Sequence, residues 1–293
     1  TPRDFALARD VCSYGYFLLA PNRWDVDRQV FVRTLGLEDG PAEATAAQRG
    51  GAGGDLDVRF DRGLSRREAA EAKRQLARML QLEDAGVEEF HRTDPRWKKS
   101  GRARIFRSPT FFEDVVKTVT SCNVLWAGTM SMNRRLCEVI NPAFPTPGQL
   151  ARRRPASLRS RCGVGYRDVR LVELGRLFMK GEVEAEWFED SGRSDEEVRK
   201  ALLALPGVGP YAANNLLQLL GRYGHLPMDT EAVRHGREAL GFEGTDGEVT
   251  RRVREHFEPF GRHRFRSYWF ELWSRSEAER GPAWEWRVGG GAG

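Results

Sequence analysis

Asp229 is the residue whose position most strongly suggests chemistry. It lies in the segment Leu226–Thr230, directly ahead of a helix predicted over 231–240. Aspartate is a preferred N-cap residue, so helix capping is the simplest interpretation. A carboxylate beside a sugar has a second use, because it can stabilise the positive charge that develops as a glycosidic bond breaks and can direct a water. A helix N-terminus in a partly exposed cleft would keep this carboxylate ionised near neutral pH.

A glycine- and proline-rich turn precedes Asp229 by one helix and one short loop. The segment Leu205–Ala213 reads Leu-Pro-Gly-Val-Gly-Pro-Tyr-Ala-Ala and lies between two apolar helical stretches. Pro206 ends the first helix, whereas Gly207 and Gly209 permit positive φ and the close approach of another backbone. The N–H groups of such a turn form an anion site that fits a DNA phosphate. An ordinary turn between helices is the alternative, and the nearby carboxylate favours the phosphate site.

The overall composition is that of a soluble globular protein. The chain has 293 residues, of which 40% are hydrophobic and 30% charged, and is long enough for two domains. Its net charge of +5 and pI near 9.2 weakly favour a polyanionic partner. A run of basic residues is usually a solvated face, but three of them beside one hairpin favour a surface that follows a phosphate backbone. These runs are Arg96–Arg107, Arg152–Arg161 and Arg262–Arg266.

The cysteines and the apolar runs exclude several classes. Four cysteines are scattered without a CxxC pair or histidines at metal spacing, so we expect neither zinc nor an iron–sulfur cluster. A reduced intracellular compartment follows: the nucleus or an organelle in a eukaryote, or the cytoplasm in a bacterium. No apolar run approaches the ~18 residues of a membrane span, and no signal-peptide pattern opens the chain. We expect a monomer that does not associate with membranes.

The fold class predicted from residue patterns is α+β. In the N-terminal part, Gln29–Leu35 and Leu56–Phe60 have the residues of strands, and Arg66–Leu82 has the period of a helix. Residues 40–54, rich in Ala and Gly, are predicted to be a flexible loop. From about Ser108 onward helices take over. We therefore predict an α+β domain over 1–103 and a helical domain over 104–293.

Local signals mark the helices of the second domain. Ser108-Pro109 is predicted to open one helix, since proline is tolerated in a first turn. Ser194, with Glu197 three residues later, forms a capping box that opens a helix ending near Ala204. Further helices are predicted over 129–140, 167–180, 211–220, 231–240, 248–257 and 265–274.

The hairpin followed by Asp229 resembles the HhH-GPD superfamily of DNA glycosylases. Residues 120–123, 132–137 and 162–167 are similar to segments of 8-oxoguanine DNA glycosylases. Ser13–Phe17 and Arg23-Trp24 are similar to the additional domain shared with AlkA-type 3-methyladenine DNA glycosylases. The resemblance covers most of the chain and is strongest from Ser108 to Leu240. It implies an antiparallel β-rich N-terminal domain and a mainly α-helical HhH-GPD domain.

The resemblance also implies roles for individual residues. Asp229 matches the catalytic aspartate. The residues that match DNA-binding positions are Gly207, Val208 and Gly209 of the hairpin, and Asn123, Tyr166 and Arg167. The last three would fill the gap left by a flipped base and contact its orphaned partner, with Tyr166 as the wedge. A core tyrosine is the alternative for Tyr166.

The resemblance implies no required cofactor. The backbone carbonyls of Leu203, Leu205 and Val208 match positions that hold a monovalent cation, K⁺ or Na⁺, bridging to a phosphate. The iron–sulfur cysteines of some relatives are absent.

Two departures narrow the expected activity. Tyr211 stands where bifunctional relatives have a lysine nucleophile, so a Schiff-base lyase step is not expected. The glutamine that reads guanine in 8-oxoguanine enzymes has no clear counterpart, and residues 265–270 offer aromatics instead. The aromatics expected to line the base pocket are Tyr211, Trp269, Trp126 and Tyr16. Such rings suit a cationic alkylated purine, because cation–π attraction adds to stacking.

The resulting hypothesis is a monofunctional DNA glycosylase of base excision repair. It would flip a damaged purine out of double-stranded DNA and hydrolyse its N-glycosidic bond, with an alkylated purine favoured and 8-oxoguanine next. The alternative is a non-catalytic helix-hairpin-helix module that binds DNA or lesions. Asp229 favours the enzyme, because a module that only binds DNA needs no carboxylate beside it. A lyase with a displaced lysine is the third interpretation.

Overall fold

The computed structural model describes residues 1–287 and is a mainly helical structure with one small sheet. The strands are β1 (Asn22–Asp25), β2 (Val30–Leu37), β3 (Gly40–Gln48) and β4 (Leu56–Phe60). The helices are α1 (Leu7–Val11), α2 (Arg66–Leu80), α3 (Val87–Thr93), α4 (Phe111–Ser121), α5 (Trp126–Val139), α6 (Pro147–Ala151), α7 (Pro155–Cys162), α8 (Asp168–Met179), α9 (Ala185–Glu189), α10 (Asp195–Leu203), α11 (Pro210–Leu219), α12 (Thr230–Glu238), α13 (Asp246–Phe257) and α14 (Arg264–Arg280). The α+β class is confirmed.

The elements form two compact units whose segments alternate along the chain. The first unit comprises Thr1–Ala85, Arg104–Trp187 and the described residues from Arg280 onward; the second comprises Gly86–Ala103 and Phe188–Glu279. The residue patterns instead predict one boundary between residues 103 and 104. The two divisions differ because residues 104–187 are compact with the N-terminal strands. Helical periodicity cannot reveal such a long-range association.

The sheet of the first unit is antiparallel, in the order β1-β2-β3-β4. Two of its strands confirm predicted ones, but the flexible loop predicted over 40–54 is wrong over Gly40–Gln48, which form β3 and pair with both neighbouring strands. Ala42, Ala44 and Ala46 are buried on one face and Glu43 is exposed on the other, so the segment has the alternation of a strand. Alanine has a low strand propensity, and its abundance suggested a loop.

A cluster of ionised side chains is buried between β2 and α4 in the first unit. The terminal nitrogens of Arg33 donate to both carboxylate oxygens of Glu113, at 3.1 and 2.7 Å. The Lys117 Nζ atom lies 2.7 Å from the same carboxylate, and Asn22 accepts a further bond from Arg33 at 2.6 Å. Burial acts to raise the pKa of Glu113, but Arg33 and Lys117 outweigh it and lower the pKa.

Capping side chains set the starts of the helices that matter for the site. The capping box predicted at α10 is confirmed, with Ser194 and Glu197 each bonded to the other's backbone N–H. α4 begins at Phe111 rather than at Pro109, because Thr110 accepts from the backbone N–H of Glu113 at 3.2 Å and so becomes the N-cap. Along residues 1–287, no helix is both long and apolar enough to span a bilayer.

Candidate active site

The hairpin of the second unit joins α10 to α11 through a short turn. Gly207 adopts φ +83°, a left-handed conformation that favours glycine, and the Val208 N–H donates to the Leu205 carbonyl at 3.1 Å. Gly209 is extended, with φ −96°, so the predicted need for positive φ holds for Gly207 alone. A Cβ on Gly209 would meet nothing within 4 Å. This exposed glycine leaves open space beside the backbone.

The first turn of α11 is open to an anion. Pro210 occupies its first position, as predicted, and Gly209 is the N-cap without any side chain to bond the first N–H groups. Free N–H groups at a helix start carry partial positive charge. The start of α11 therefore presents partial positive charge without a capping side chain.

Asp229 is the N-cap of α12, as the sequence suggests. Its Oδ1 atom accepts from the Ala232 N–H at 3.0 Å, and the Tyr211 hydroxyl donates a second hydrogen bond to the carboxylate. No cationic side chain among residues 1–287 forms an ion pair with it. Burial raises the pKa of Asp229, and the charge of Glu231 adds to the rise; hydrogen bonds from the Ala232 backbone, the Tyr211 hydroxyl and the Glu231 backbone offset only part of it. The Asp229 carboxylate is partly buried, so little solvent and no ion-paired cation of the described chain neutralise its negative charge when it ionises.

Tyr211, predicted as a residue of the base pocket, has a contact through its hydroxyl that the sequence does not indicate. It is partly exposed in the first turn of α11, and its hydroxyl is engaged by Asp229. The structure thus joins two predicted site residues directly. The hydroxyl holds the carboxylate in one orientation and stabilises its charged form.

A layer of side chains behind Asp229 has no local sequence signal. Tyr268 of α14 is buried, and the electrostatic influence of Asp229 reaches it. His235, also on α12, stands edge-on to the Tyr268 ring with centroids 5.9 Å apart, and its Nε2 lies 3.0 Å from Glu271 Oε1. Arg96 forms an ion pair with Glu271 at 2.6 Å. These contacts fix α12, and therefore its N-cap, against α14.

Trp269 lies in a stack of rings along the second unit. Its ring stacks on Phe265 at 6.0 Å and on Trp273 at 5.2 Å, with interplanar angles of 9° and 28°. The indole is partly exposed, so its use as a pocket wall remains a prediction.

In the first unit, Arg167 holds two predicted DNA-contact segments together. Arg167 is buried and donates to the carbonyls of Val119 at 3.1 Å, Cys122 and Asn123 at 3.4 Å. Asn123 itself is exposed and has φ +51°. Tyr166 is 52% exposed and lies over Arg167, with the guanidinium carbon 4.6 Å from the ring centroid. Asn123 and Tyr166 face solvent, whereas Arg167 positions them from within.

Sequence reasoning missed an apolar segment that begins beside Asn123. Leu125 is 85% exposed, and Val124 and Trp126 are 36% and 38% exposed. The Trp126 ring covers Gly15, where an added Cβ would come within 3.1 Å of it. The signal was present as three consecutive apolar residues at the start of α5.

Tyr16 behaves as a core residue of the first unit. Its side chain is buried, and its hydroxyl forms a 2.7 Å hydrogen bond with Thr118 Oγ1. The Tyr14 ring lies 4.9 Å away. Because its polar atom is already satisfied, these contacts favour a structural role over the predicted place in the base pocket.

Solved structures of DNA glycosylases share the fold of this chain, although no family model and no curated protein matches its sequence. The 3-methyladenine DNA glycosylase of Archaeoglobus fulgidus is 19% identical, with a TM-score of 0.69 over 94% of this chain and 97% of its own. The Clostridium acetobutylicum 8-oxoguanine glycosylase/lyase is 18% identical, with a TM-score of 0.68 over 92% and 93%. The Schizosaccharomyces pombe 3-methyladenine DNA glycosylase Mag1 is 22% identical, with a TM-score of 0.52 over 71% and 97%. The chain thus has the fold expected from the resemblance.

Proposed function

We propose that the chain is a monofunctional DNA glycosylase that flips a damaged purine out of duplex DNA and hydrolyses its N-glycosidic bond. One observation carries the proposal. Among residues 1–287, Asp229 is a partly buried carboxylate without a cationic partner, in the same compact unit as a hairpin whose second helix has no side-chain cap. A group held in this way is a candidate for chemistry, because a raised pKa in the absence of an ion pair does not stabilise the fold.

The reaction uses Asp229 as a stabiliser of charge. As the bond between C1′ and the base nitrogen breaks, its electron pair leaves with the base and the sugar becomes an oxocarbenium ion. The Asp229 carboxylate opposes that positive charge and accepts a proton from the water that attacks C1′. Tyr211 supports the ionised form through its hydrogen bond.

Tyr211 also supports hydrolysis without a lyase step. Its ring occupies the position at which the resemblance places a lysine nucleophile, and its hydroxyl is bonded to the catalytic carboxylate. A phenol at this place cannot form a Schiff base. We therefore propose that water, rather than a side chain of the enzyme, attacks C1′ of the sugar.

Duplex DNA is the proposed ligand, and an alkylated purine the proposed lesion, with 8-oxoguanine next. The Clostridium relative is solved with double-stranded DNA containing cytosine opposite 8-oxoguanine, and Mag1 with abasic DNA. The exposed Tyr166 and Leu125 of the first unit supply apolar side chains that can insert into a base stack. A cationic base gains most from aromatic surroundings.

A monovalent cation, K⁺ or Na⁺, fits the carbonyls of the hairpin. Leu203 ends α10, so its carbonyl is among those without a helical donor, and the Leu205 carbonyl keeps one lone pair after accepting from Val208. With the Val208 carbonyl, they would hold a cation whose charge attracts a phosphate oxygen. Replacing K⁺ and Na⁺ with tetramethylammonium at constant ionic strength should weaken DNA binding.

The deciding experiment incubates the protein with duplexes that each carry one lesion and scores strand breaks before and after hot alkali. We expect alkali-dependent breaks at an alkylated purine, reduced by at least about 10²-fold in Asp229→Asn. Asp246→Asn, a change at the start of the neighbouring helix α13, is the matched control and should retain activity. Breaks without alkali that borohydride traps would overturn the monofunctional proposal. Tight binding without excision of any lesion would favour the non-catalytic module.

A further inference from the structure

A cleft lined by arginines lies in the second unit and is not used by the proposed reaction. It encloses about 290 Å³ and is lined by side chains from α10, α11, α13, α14 and the loop before α12. The lining side chains that matter are Arg199, Asn214, His225, Leu226, Arg254 and Arg264. Leu226 is the apolar member of this set, so most of the lining is polar or cationic.

Two of the arginines are held in place by bonds that leave their outer nitrogens available. The Arg199 Nε donates to Asn214 Oδ1 at 3.1 Å, and the Asn214 Nδ2 donates to the Leu226 carbonyl at 3.0 Å. The Arg264 Nε donates to the Gly261 carbonyl at 3.0 Å. Each guanidinium has five N–H donors, so the terminal pair that binds oxyanions stays free for a ligand.

The charge of these arginines is not balanced by protein. Over the described chain, no carboxylate forms an ion pair with Arg199, Arg254 or Arg264. Other arginines of this unit are paired, as Arg251 is with Glu255 at 2.8 Å. Two acids act on His225 electrostatically: Asp195, whose carboxylate lies 2.8 Å from Arg222, and Glu196. The cleft therefore holds an excess of positive charge that solvent or a ligand must neutralise.

We propose that this cleft is a second phosphate-binding site, separate from the hairpin. Guanidinium groups match the geometry of phosphate oxygens, and three of them around one cleft suit a doubly charged group. The volume lies near the lower end of the ~300–1,000 Å³ usual for small-ligand pockets, and it accommodates a phosphate with part of its ester. The group bound is the phosphate itself, supplied either by the DNA backbone or by a free phosphate compound.

The test measures binding of inorganic phosphate to the full chain by isothermal titration calorimetry. We expect saturable binding that weakens at least tenfold in the double variant Arg199→Gln/Arg264→Gln. Arg254→Gln, an exposed position that leaves the core intact, should weaken it by a smaller factor. Arg251 is also exposed on α13 but is already paired with Glu255. Arg251→Gln is therefore the matched control, and its affinity for phosphate should stay within twofold of the native value. Absence of saturable binding, or equal loss in Arg251→Gln, would overturn the proposal.

A second arm identifies the source of the phosphate. If the DNA backbone supplies it, Arg254→Gln lowers the slope of log K against log salt for an undamaged duplex by about one. If a free compound supplies it, that slope is unchanged and phosphate does not compete with DNA. Both results uphold the phosphate site. No damaged base enters either arm, so the outcome is independent of the proposed glycosylase activity.

Discussion

Asp229 and Glu113, one in each unit, are carboxylates withdrawn at least partly from water, and their pKa values are shifted in opposite directions. Burial is the largest influence on both Asp229 and Glu113, and by itself it would raise both pKa values. The pKa of Glu113 is nevertheless lowered, because Arg33 and Lys117 are bonded to it. The pKa of Asp229 stays raised, because its partners are the backbone N–H groups of Ala232 and Glu231 and the Tyr211 hydroxyl, none of which carries a charge.

The difference shows which partners allow a buried carboxylate to contribute to the stability of the fold. Neutral donors compensate part of the lost hydration, whereas a cation compensates the charge itself. Glu113 is therefore a component of the core of its unit. Asp229 keeps an uncompensated negative charge beside solvent. Such a charge can stabilise a transient positive charge, such as that of the oxocarbenium ion in the proposed reaction.

Breaking the ion cluster should have the largest effect on stability. In Glu113→Gln, Arg33 and Lys117 stay buried without a counter-charge, and we expect a loss of about 3–5 kcal/mol in the free energy of unfolding. Urea denaturation measures this loss. The matched control is Glu138→Gln, which removes an exposed pair with Arg134 and should change stability by less than about 1 kcal/mol. Equal effects of the two substitutions would contradict the expectation that the buried ion pairs of Glu113 matter more for stability than the exposed pair of Glu138.

The sequence predicted the Asp229 region well because its signals are local. A cap residue, two glycines and a proline lie within a short stretch, and each restricts the backbone where it stands. The Arg33–Glu113 pair joins a strand to a distant helix and leaves no such trace. The sequence predicts that Tyr211 acts through its ring, whereas its contact with Asp229 is made by the hydroxyl. A sequence does not show which atom of a side chain meets a partner.

Leu125 is an exposed apolar side chain, the converse of a buried charge. Like the uncompensated charge of Asp229, it is expected to contribute to function rather than to stability. Leu125→Ser should leave stability within about 0.5 kcal/mol, because the side chain is 85% exposed. Excision from duplex DNA should fall about tenfold, because a serine cannot insert between bases as an apolar wedge. Single-turnover rates and thermal unfolding measure the two effects.

Met179 provides the control for Leu125. It is 48% exposed on α8, and Met179→Ser should change neither excision nor stability. If the two variants lose excision equally, Leu125 has no special contact with DNA.

The capping and catalytic uses of Asp229 can be separated by two substitutions. Asparagine caps a helix as well as aspartate does, so Asp229→Asn should retain the cap, whereas Asp229→Ala should lose about 0.5–2 kcal/mol relative to it. Because folding raises the pKa of Asp229, the ionised group costs stability at neutral pH. Asp229→Asn should therefore be at least as stable as the native chain at pH 7, with the difference shrinking as pH falls through that pKa. A strongly destabilised Asp229→Asn would contradict the uncompensated charge.

Removing the Tyr211 hydroxyl should move the pH dependence of excision without abolishing activity. The hydrogen bond from Tyr211 stabilises the ionised carboxylate and lowers the pKa of Asp229 from where burial alone would set it. In Tyr211→Phe that pKa rises, so Asp229 takes up its proton at a higher pH and the acid limb of the rate profile moves upward in pH. A substrate with a permanently charged base, such as 7-methylguanine, keeps base protonation out of this limb. Tyr166→Phe, which removes an exposed hydroxyl in the other unit, should leave the limb in place; an unmoved limb in Tyr211→Phe would mean that ionised Asp229 does not control the reaction.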